Sequence, residues 1–289
     1  MTALRDTARA KLNLTLEVLG RRADGFHELR SLVAFASLGD EVELDPRGPL
    51  ELAVEGGFAR DLSGDNLIIA AAHAASDQVP GLKLGRFRLV KVLPVAAGLG
   101  GGSADAAAAL RLIAKTNDGA LNGAVLAELA TRLGSDVNVC LMGRPALISG
   151  RGETVEPVAG FPPCGVLLAN PGRPLATGAV YAALGAEVLA ASPLQDAGTL
   201  DVHGDFEALL AYATPRDNDL ERPAAQLMPE IREVLAALLA LDGIRLARLS
   251  GSGPTCFGLF TSRVEAERAG ARLAAEFPNW WIAASTLGA

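Results

Sequence analysis

The chain has 289 residues, of which 50% are hydrophobic, 20% are charged and only 4% are aromatic, and its net charge at pH 7 is −7. This composition fits one large or two modest domains with an aliphatic core, and the acidic balance without a basic run argues against broad binding to nucleic acid or to an anionic membrane. The sequence has no signal-peptide pattern and no membrane-length apolar run, and its three cysteines are too scattered for a disulfide framework or a zinc site, so we expect a cytoplasmic protein with reduced thiols.

In chain order, the first predicted element is a half-buried strand over residues 10–19. Leucine or valine alternates there with polar side chains, and the polar face begins with Lys11 and Asn13. Taken alone, Lys11 fits the solvated end of a strand, as most lysines do. Further strands are expected over residues 32–35, 40–44 and 50–54.

A turn at Asp24-Gly25 is followed by an aromatic residue and a histidine, Phe26 and His27. One interpretation is a hairpin loop with Phe26 in the core and His27 in solvent. The other is an aromatic plate and a hydrogen-bonding ring for a planar ligand. The residues alone favour the first interpretation.

Residues 93–110 form the most informative stretch of the chain. They follow a predicted strand over residues 86–93, and their first half holds Pro94 and four glycines, which exclude a helix or strand interior. Their second half is a strong helix former, and Ser103 stands where an N-cap belongs. This order of strand, glycines and helix start favours a phosphate site over a plain capped turn, because the first N–H groups of a helix and its dipole attract anions.

This stretch matches none of three common phosphate loops. It lacks the lysine of a Walker A loop and the third glycine of a dinucleotide fingerprint. It also precedes a helix, whereas the glycine loop of a protein kinase lies between two strands. Any lysine or acid that the chemistry needs must therefore come from elsewhere in the chain.

Two helices flank this stretch in the predicted order. The first begins at Asp65 or Asn66 and runs to about residue 76, and the second covers residues 121–133 and ends at Gly134. Beyond it, Ser135 or Asp136 caps a short helix, or else Asp136 is an acid that points into a cleft; the two interpretations are about equal. Two prolines that follow Phe161 indicate a domain boundary near residue 160.

The second half of the chain alternates strands and helices around a sheet that we expect to be antiparallel. Residues 246–260 predict a strand, a turn and a strand, and the Gly251-Ser252-Gly253 turn is either a plain β-turn or a second loop that brings N–H groups to a substrate. The other predicted elements are strands at 165–169 and 280–287, a helix that follows a loop over 171–178 and runs through Tyr181 and Leu184, and helices around 206–210, 229–241 and 263–277.

Three separated segments, residues 10–14, 94–104 and 248–253, resemble the three motifs of the GHMP small-molecule kinases, which include galacto-, homoserine, mevalonate and phosphomevalonate kinases. Within that superfamily, further segments are similar, in order, to those of the kinases that act on diphosphocytidyl methylerythritol: residues 11–14, 22–27, 65–67, 98–103 and 135–137. The resemblance implies an α+β, two-domain GHMP kinase fold. An N-terminal, ribosomal-S5-like β-α-β domain over 1–160 would bind ATP, a ferredoxin-like domain would cover 161–289, and the active site would lie in the cleft between them.

The activity that the resemblance implies is transfer of the γ-phosphoryl group of ATP to the 2-hydroxyl of diphosphocytidyl methylerythritol, in the non-mevalonate (methylerythritol phosphate) route to isoprenoids. Asp136 would take the hydroxyl proton, and Lys11 would hold and polarise the same oxygen. Two alternatives remain. A homoserine or mevalonate kinase of the superfamily would give the Phe26–His27 pair no purpose, and a non-catalytic ligand-binding member would not need both Lys11 and Asp136.

The resemblance also implies the binding residues. On the substrate side, Phe26 and Tyr181 would sandwich the cytosine, His27 would hydrogen-bond it, and Asn13 and Thr177 would lie near the substrate. The residues implied for ATP are Asn66, Pro94, Val95, Ala96, Ala97, Gly98, Leu99, Gly100, Gly101, Gly102, Ser103 and Ala104. Mg²⁺ is expected as the counter-ion of ATP, with its protein ligands left open, and the protein is expected to be a monomer or a weak homodimer.

Overall fold

The structure, a computed structural model, describes residues 3–62, 64–190 and 198–288. The elements of the first part of the chain are β1 (Leu4–Asn13), β2 (Glu17–Arg21), β3 (His27–Asp45), β4 (Glu51–Glu55), α1 (Leu67–Gln78), β5 (Arg86–Val90), α2 (Gly101–Thr116), α3 (Gly123–Leu133) and α4 (Val137–Met142). Those of the second part are β6 (Ala146–Gly150), β7 (Thr154–Pro157), β8 (Cys164–Asn170), α5 (Thr177–Leu184), α6 (Phe206–Ala213), α7 (Glu221–Leu227), α8 (Glu230–Leu239), β9 (Leu246–Leu249), β10 (Cys256–Phe260), α9 (Arg263–Glu276) and β11 (Trp281–Leu287).

The chain divides into two compact units, and each is built from separated segments. Unit 1 comprises Met1–Ala10, Gly39–Val95 and Gly100–Gly143. Unit 2 comprises Lys11–Leu38, Ala96–Leu99 and Arg144–Ala289. This division follows compactness rather than chain order, so the boundary predicted near residue 160 stays a prediction.

Unit 1 contains a small sheet and the helices α1 to α4. The strand β5 pairs antiparallel with the end of β3, from Glu41 to Asp45, and parallel with β4. The helix α2 packs against α1, α3 and α4. Its alanines from Ala106 to Ala109 are all fully buried, because small side chains let neighbouring helices approach this helix closely.

Unit 2 is built on antiparallel strands, as the sequence predicts for the second half of the chain. The strand β8 lies between β10 and β11, and β10 also pairs with β9. The early part of β3 pairs with β2 and β6. The helices α7, α8 and α9 contribute Ala224, Val234 and Leu273 to an apolar core that also includes Phe260 of β10.

Two local predictions about strands are wrong. The single strand expected over residues 10–19 is two strands, β1 and β2, and its polar face is not solvated: Lys11, Asn13 and Thr15 are all buried. The two strands expected at 32–35 and 40–44 are one continuous strand, β3. A pattern of alternating apolar and polar residues predicts a strand with one face in solvent, whereas this part of the chain is covered on both faces.

Among the described residues, no helix is long and apolar enough to cross a membrane. The three cysteines are buried, and they form no disulfide bond. Burial raises the pKa of the Cys164 thiol to about 12 and raises that of Cys256 well above its usual value. These thiols are therefore held in the protonated form, which makes them poor nucleophiles.

Candidate active site

The first half of the glycine loop (residues 94–104) is held by the Gly-Ser-Gly turn at residues 250–255. The Ser250 hydroxyl donates a hydrogen bond of 2.9 Å to the Gly98 carbonyl. The Thr255 N–H donates to the Ala97 carbonyl over 3.2 Å. On the other side, the Lys11 N–H donates to the Leu99 carbonyl over 2.9 Å. Three consecutive loop carbonyls are thus fixed by two separate segments of unit 2, the turn at residues 250–255 and the end of β1.

Gly98 is required by this close approach. Its φ is +75°, and a Cβ at this position would lie 2.2 Å from the Ser250 carbonyl oxygen. Only glycine meets both conditions without strain. In the turn itself Gly251 and Gly253 also have positive φ, and the Gly253–Pro254 peptide bond is cis. The turn therefore supports the glycine loop, a role that neither interpretation of its sequence included.

The second half of the glycine loop becomes the start of α2. Gly100 is the N-cap residue in a left-handed conformation with φ of 63°, so the expectation that Ser103 is the N-cap is wrong. Ser103 is the third residue of the helix. The first N–H groups of any helix have no partner within it, so those of residues 101–103 are donors available to an anion. The Ala104 N–H already donates to the Gly100 carbonyl at 2.9 Å.

Asn66 lies at the N-terminus of α1, near this helix start. Its side-chain oxygen accepts a hydrogen bond of 2.8 Å from the Ile68 N–H, which makes it the N-cap that the sequence predicts. The following Leu67 reaches α2, because a Cβ at Gly102 would lie 3.4 Å from its Cδ1. The first turns of α1 and α2 are therefore neighbours in unit 1.

A buried lysine with two carboxylates lies beside the first turn of α2. Lys91 Nζ is 2.5 Å from Asp40 Oδ2 and 3.1 Å from Asp105 Oδ2. The other Asp40 oxygen accepts hydrogen bonds from the Val92 and Leu93 N–H groups at 2.7 and 2.9 Å. These three residues were not among the site residues predicted from the sequence, since lysines and aspartates are usually solvated.

Lys11 and Asn13 lie at the end of β1, buried in unit 2. Lys11 is only 4% exposed. The Asn13 amide donates to the Ser31 hydroxyl over 2.8 Å, and its backbone N–H donates to the Ser250 hydroxyl over 3.4 Å. The Asn13 side-chain oxygen is buried and has no hydrogen-bond partner among the described residues. A buried acceptor in this state fits a ligand that supplies a donor.

Asp136 occupies the N-cap position of α4 in unit 1. Its backbone has φ −81° and ψ −13°, and its side chain makes no capping hydrogen bond to that helix. The short helix predicted after Ser135 or Asp136 is therefore present, and Asp136 is its N-cap residue without a side-chain capping bond. The catalytic role of Asp136 stays a prediction.

The predicted cytosine-binding residues gather at one corner of unit 2. The rings of His27 and Tyr181 stack with their centroids 4.6 Å apart and an angle of 30° between their planes. Phe26 is about half exposed, at 49%, and the Arg151 guanidinium lies 4.5 Å from its ring centroid. No pattern in the sequence predicts this contact of Arg151. Burial, followed by the charge of Arg21, lowers the pKa of His27, so this ring is neutral at pH 7.

The turn that precedes Phe26 and His27 is held by hydrogen bonds and an ion pair. The Arg22 N–H donates to the Phe26 carbonyl over 2.7 Å, and the Phe26 N–H donates to the Asp24 carboxylate over 3.1 Å. Arg22 also pairs at 2.8 Å with Glu28, whose side chain is fully buried. Phe26 is exposed while His27 packs on Tyr181, so the interpretation with Phe26 in the core and His27 in solvent is wrong.

Thr177 begins α5, and its hydroxyl lies 2.9 Å from that of Ser252 in the Gly-Ser-Gly turn. Unit 2 thus brings together most of the predicted substrate residues and the first half of the glycine loop. Unit 1 brings together Asn66, the second half of the loop and the buried group of Lys91. Lys11 and Asp136 belong to different units.

Two family matches lie along the chain. Residues 66–144 match the GHMP kinases N terminal domain, and residues 198–279 match the GHMP kinases C terminal family. The first match contains Asn66, the whole glycine loop and Asp136. Together with the glycine loop at the start of α2, these matches define the class of the protein, a GHMP kinase.

Close relatives narrow this class. A protein of Methylobacterium radiotolerans named 4-diphosphocytidyl-2-C-methyl-D-erythritol kinase is 48% identical, over 99% of this chain and 100% of its own length. A protein of the same name from Bradyrhizobium sp. (strain ORS 278) is 46% identical, over 99% of this chain and 97% of its own. A solved crystal structure of 4-(cytidine 5'-diphospho)-2C-methyl-D-erythritol kinase is 34% identical, with a TM-score of 0.75 over 99% of this chain and 100% of that one.

The chain belongs to the family of 4-diphosphocytidyl-2-C-methyl-D-erythritol kinases, and it is an ATP-dependent small-molecule kinase. The predicted α+β GHMP kinase fold and the predicted class of enzyme are confirmed. The roles of the individual site residues stay predictions.

Proposed function

We propose that Lys11, Asp136 and the glycine loop carry out the reaction of this family in this chain, which is phosphorylation of the 2-hydroxyl of 4-diphosphocytidyl-2-C-methyl-D-erythritol by ATP. This reaction is a step of the methylerythritol phosphate route to isoprenoid precursors. The observation that carries the assignment is identity of 44–48% to kinases of this name over 98% or more of the chain. The site geometry within each unit supports the roles below.

The glycine loop would bind the triphosphate of ATP. The N–H groups of residues 101–103 and the positive end of the α2 dipole favour an anion at this place. The rigid support of Gly98 by Ser250 keeps the backbone open for close approach. Ser103 and Asn66 would lie nearest the nucleotide, since their helices begin next to each other.

Lys11 and Asp136 would act on the hydroxyl that receives the phosphoryl group. Phosphoryl transfer passes through a loose transition state, so positioning and neutralisation of charge supply most of the catalysis. The Lys11 ammonium would hold the hydroxyl oxygen and stabilise the negative charge that develops there. Asp136 would accept the proton as the new O–P bond forms and the bond to the ADP oxygen breaks.

The corner formed by Phe26, His27 and Tyr181 would bind the cytosine. A neutral imidazole has one donor and one acceptor, which suits the amino group and ring nitrogen of cytosine. The exposed Phe26 ring offers a face for stacking, which is worth about 0.5–1.5 kcal/mol beyond the buried area. Asn13, with its unpartnered oxygen, and Thr177 would lie toward the substrate.

Mg²⁺ would enter with ATP. Among the described residues, no three His, Cys, Asp or Glu side chains gather as a metal site, so most of its ligands would be phosphate oxygens and water. The ion would neutralise charge on the transferred group. The cytoplasmic location and the monomeric or weakly dimeric state stay predictions of the sequence.

The test is release of ADP from ATP with three acceptors: diphosphocytidyl methylerythritol, homoserine and mevalonate. We expect turnover with the first acceptor alone; turnover of homoserine or mevalonate instead would overturn the assignment. Asp136→Asn and Lys11→Met should each lower kcat by at least about 100-fold, with little change in the Kd for ATP. Two matched controls are Asp205→Asn, at the N-cap of α6, and Lys115→Met, at the exposed end of α2, and both should keep wild-type turnover.

A further inference from the structure

Three buried ionisable groups beside the start of α2 have no part in the reaction described above. They are Lys91, Asp40 and Asp105, and none of them is more than 3% exposed. They come from the segment after β5, from β3 and from α2. One lysine faces two carboxylates at 2.5 and 3.1 Å, so the group has one excess negative charge when all three are ionised.

This excess charge lies next to the glycine loop. A Cβ at Gly101, the first residue of α2, would lie 3.3 Å from Lys91 Nζ and 3.8 Å from Asp40 Oδ2. The same helix turn presents the N–H groups proposed to bind phosphate. Because both Asp40 oxygens are hydrogen-bonded, Asp40 has a single fixed orientation, and the state of the group depends on Asp105.

Asp105 is the member of the group with spare hydrogen-bonding capacity. Its Oδ2 atom bonds Lys91, and its Oδ1 atom is buried without a hydrogen-bond partner among the described residues. An ionised oxygen is costly in such a place, whereas a protonated carboxyl group is tolerated. Burial raises the pKa of Asp105 to about 7; the nearby charge of Asp40 also raises it, and Lys91 lowers it.

The other charged groups on α2 and on the helices packed against it are exposed to solvent or paired with other residues. On α2 itself, Lys115 is exposed, and Arg111 pairs with Asp6 of β1 at 2.7 Å. The helices α1 and α3 carry only exposed ionisable groups, and α4 carries a buried thiol. The exposed groups are His73, Asp77, Glu128 and Arg132, and the thiol is that of Cys140. The partners that set the ionisation of Asp105 are therefore Lys91 and Asp40.

We propose that Lys91 and Asp105 are positioning residues for ATP that fix the first turn of α2. The protonation state of Asp105 sets the net charge of the buried group beside this turn, so ATP binds more tightly when Asp105 is protonated. This inference rests on the proposed binding of the triphosphate by the glycine loop. At low pH the group is neutral, because one carboxylate and one ammonium remain. As the pH rises through about 7, Asp105 ionises, and the group becomes negative and repels the nucleotide.

Asp105→Asn tests this directly, since asparagine keeps the shape and stays neutral at every pH. We expect equal KM for ATP in wild type and variant near pH 6, and a wild-type KM about three- to tenfold higher than that of the variant near pH 8. The kcat should be the same in both. ATP itself titrates in this range, so the ratio of the two proteins at each pH is the quantity measured.

Asp77→Asn, at an exposed site on α1, is the matched control for loss of one negative charge and should follow the wild-type profile. Thermal unfolding checks that Asp105→Asn is folded, and Asp105→Ser, also neutral and smaller, is the second variant. A ratio that does not change with pH for these folded variants overturns the inference.

Ser103→Ala separates this inference from the proposed function. If it raises the KM for ATP at every pH while Asp105→Asn and wild type share one profile, only the role of Asp105 is wrong. If neither Ser103→Ala nor Gly98→Ala, which disturbs the loop backbone itself, changes the KM for ATP, the assignment of the glycine loop to ATP is itself wrong.

Discussion

The two halves of the glycine loop are held by different kinds of interaction. Residues 96–99 belong to unit 2 and are fixed by neutral hydrogen bonds from the N–H groups of Lys11 and Thr255 and from the Ser250 hydroxyl. The start of α2 belongs to unit 1 and lies against the buried charged group formed by Lys91, Asp40 and Asp105. Neutral hydrogen bonds do not change with pH near 7, whereas a buried carboxylate pair sharing one lysine does.

This difference indicates a division of labour within one loop. The first half needs a constant shape, because Gly98 must pass the Ser250 carbonyl without a side chain. The second half supplies the N–H donors for an anion, so its electrostatic environment affects binding directly. Variants of the first half should therefore change stability and shape, and variants of the second half should change the response to pH.

Gly98→Ala should have the largest effect. The new Cβ would lie 2.2 Å from the Ser250 carbonyl oxygen, at a φ of +75° that alanine disfavours. The backbone conformation alone costs about 1–2 kcal/mol, and the overlap must add to it, so we expect at least a tenfold rise in the KM for ATP and a lower melting temperature. Steady-state kinetics and thermal unfolding measure these.

Gly119→Ala is the matched control for this variant. Its φ is +82°, but no atom lies within 4 Å of the Cβ position. It should show the cost of the backbone conformation with little change in kinetics. Equal losses of stability in the two variants would mean that the contact with Ser250 is unimportant.

Lys91→Met should come next, mainly in stability. Removing the lysine leaves Asp40 and Asp105 buried without their cation, and breaking a buried pair in this way costs about 3–5 kcal/mol. Urea unfolding measures the loss. The double variant Lys91→Met/Asp105→Asn should recover part of it, since one fewer carboxylate is left unpaired; no recovery would contradict the charge pairing seen in unit 1.

The sequence predicts the helix and the glycine loop well, because both follow from local composition. The strand β5, the alanines of α2 and the glycines lie within about 25 consecutive residues, and local rules apply to them. Asn66 as a helix cap and the antiparallel strands of the second half follow in the same way.

The contacts that hold the loop could not be predicted, because they join residues far apart in sequence. Ser250 and Gly98 are 152 positions apart, and Asp40 and Lys91 are 51 apart. A lysine within a strand pattern is expected to be solvated, yet Lys11 and Lys91 are both buried by tertiary packing. Asp105 within a run of alanines was the one available signal, since a lone acid in an apolar helix requires a buried partner.

Ser250→Ala should have a moderate effect on the first half of the loop. It removes a hydroxyl that donates to Gly98 and accepts from the Asn13 N–H, and leaving these groups unpaired costs about 1–3 kcal/mol. Ser285→Ala is the control, because its hydroxyl is also buried and accepts one hydrogen bond, from Leu38. Both variants should be less stable, but only Ser250→Ala should raise the KM for ATP; a rise in both would point to a general loss of rigidity.

The weakest response is expected outside the loop, at His27, where the dependence of KM on pH should have the opposite sign to that at Asp105. Burial lowers the pKa of His27, so the ring is neutral at pH 7 and becomes protonated only under more acidic conditions. Protonation removes its acceptor, which should raise the KM for the cytidyl substrate by about two- to tenfold as the pH falls below the lowered pKa, the worth of one hydrogen bond. His27→Gln keeps a donor and an acceptor without titrating, so the KM of this variant for the cytidyl substrate should not change over this pH range.

The two pH responses can be compared in the wild-type protein. A KM for ATP that rises at high pH and a KM for the cytidyl substrate that rises at low pH would assign the two responses to Asp105 and His27 separately. Identical profiles for both substrates would contradict both assignments.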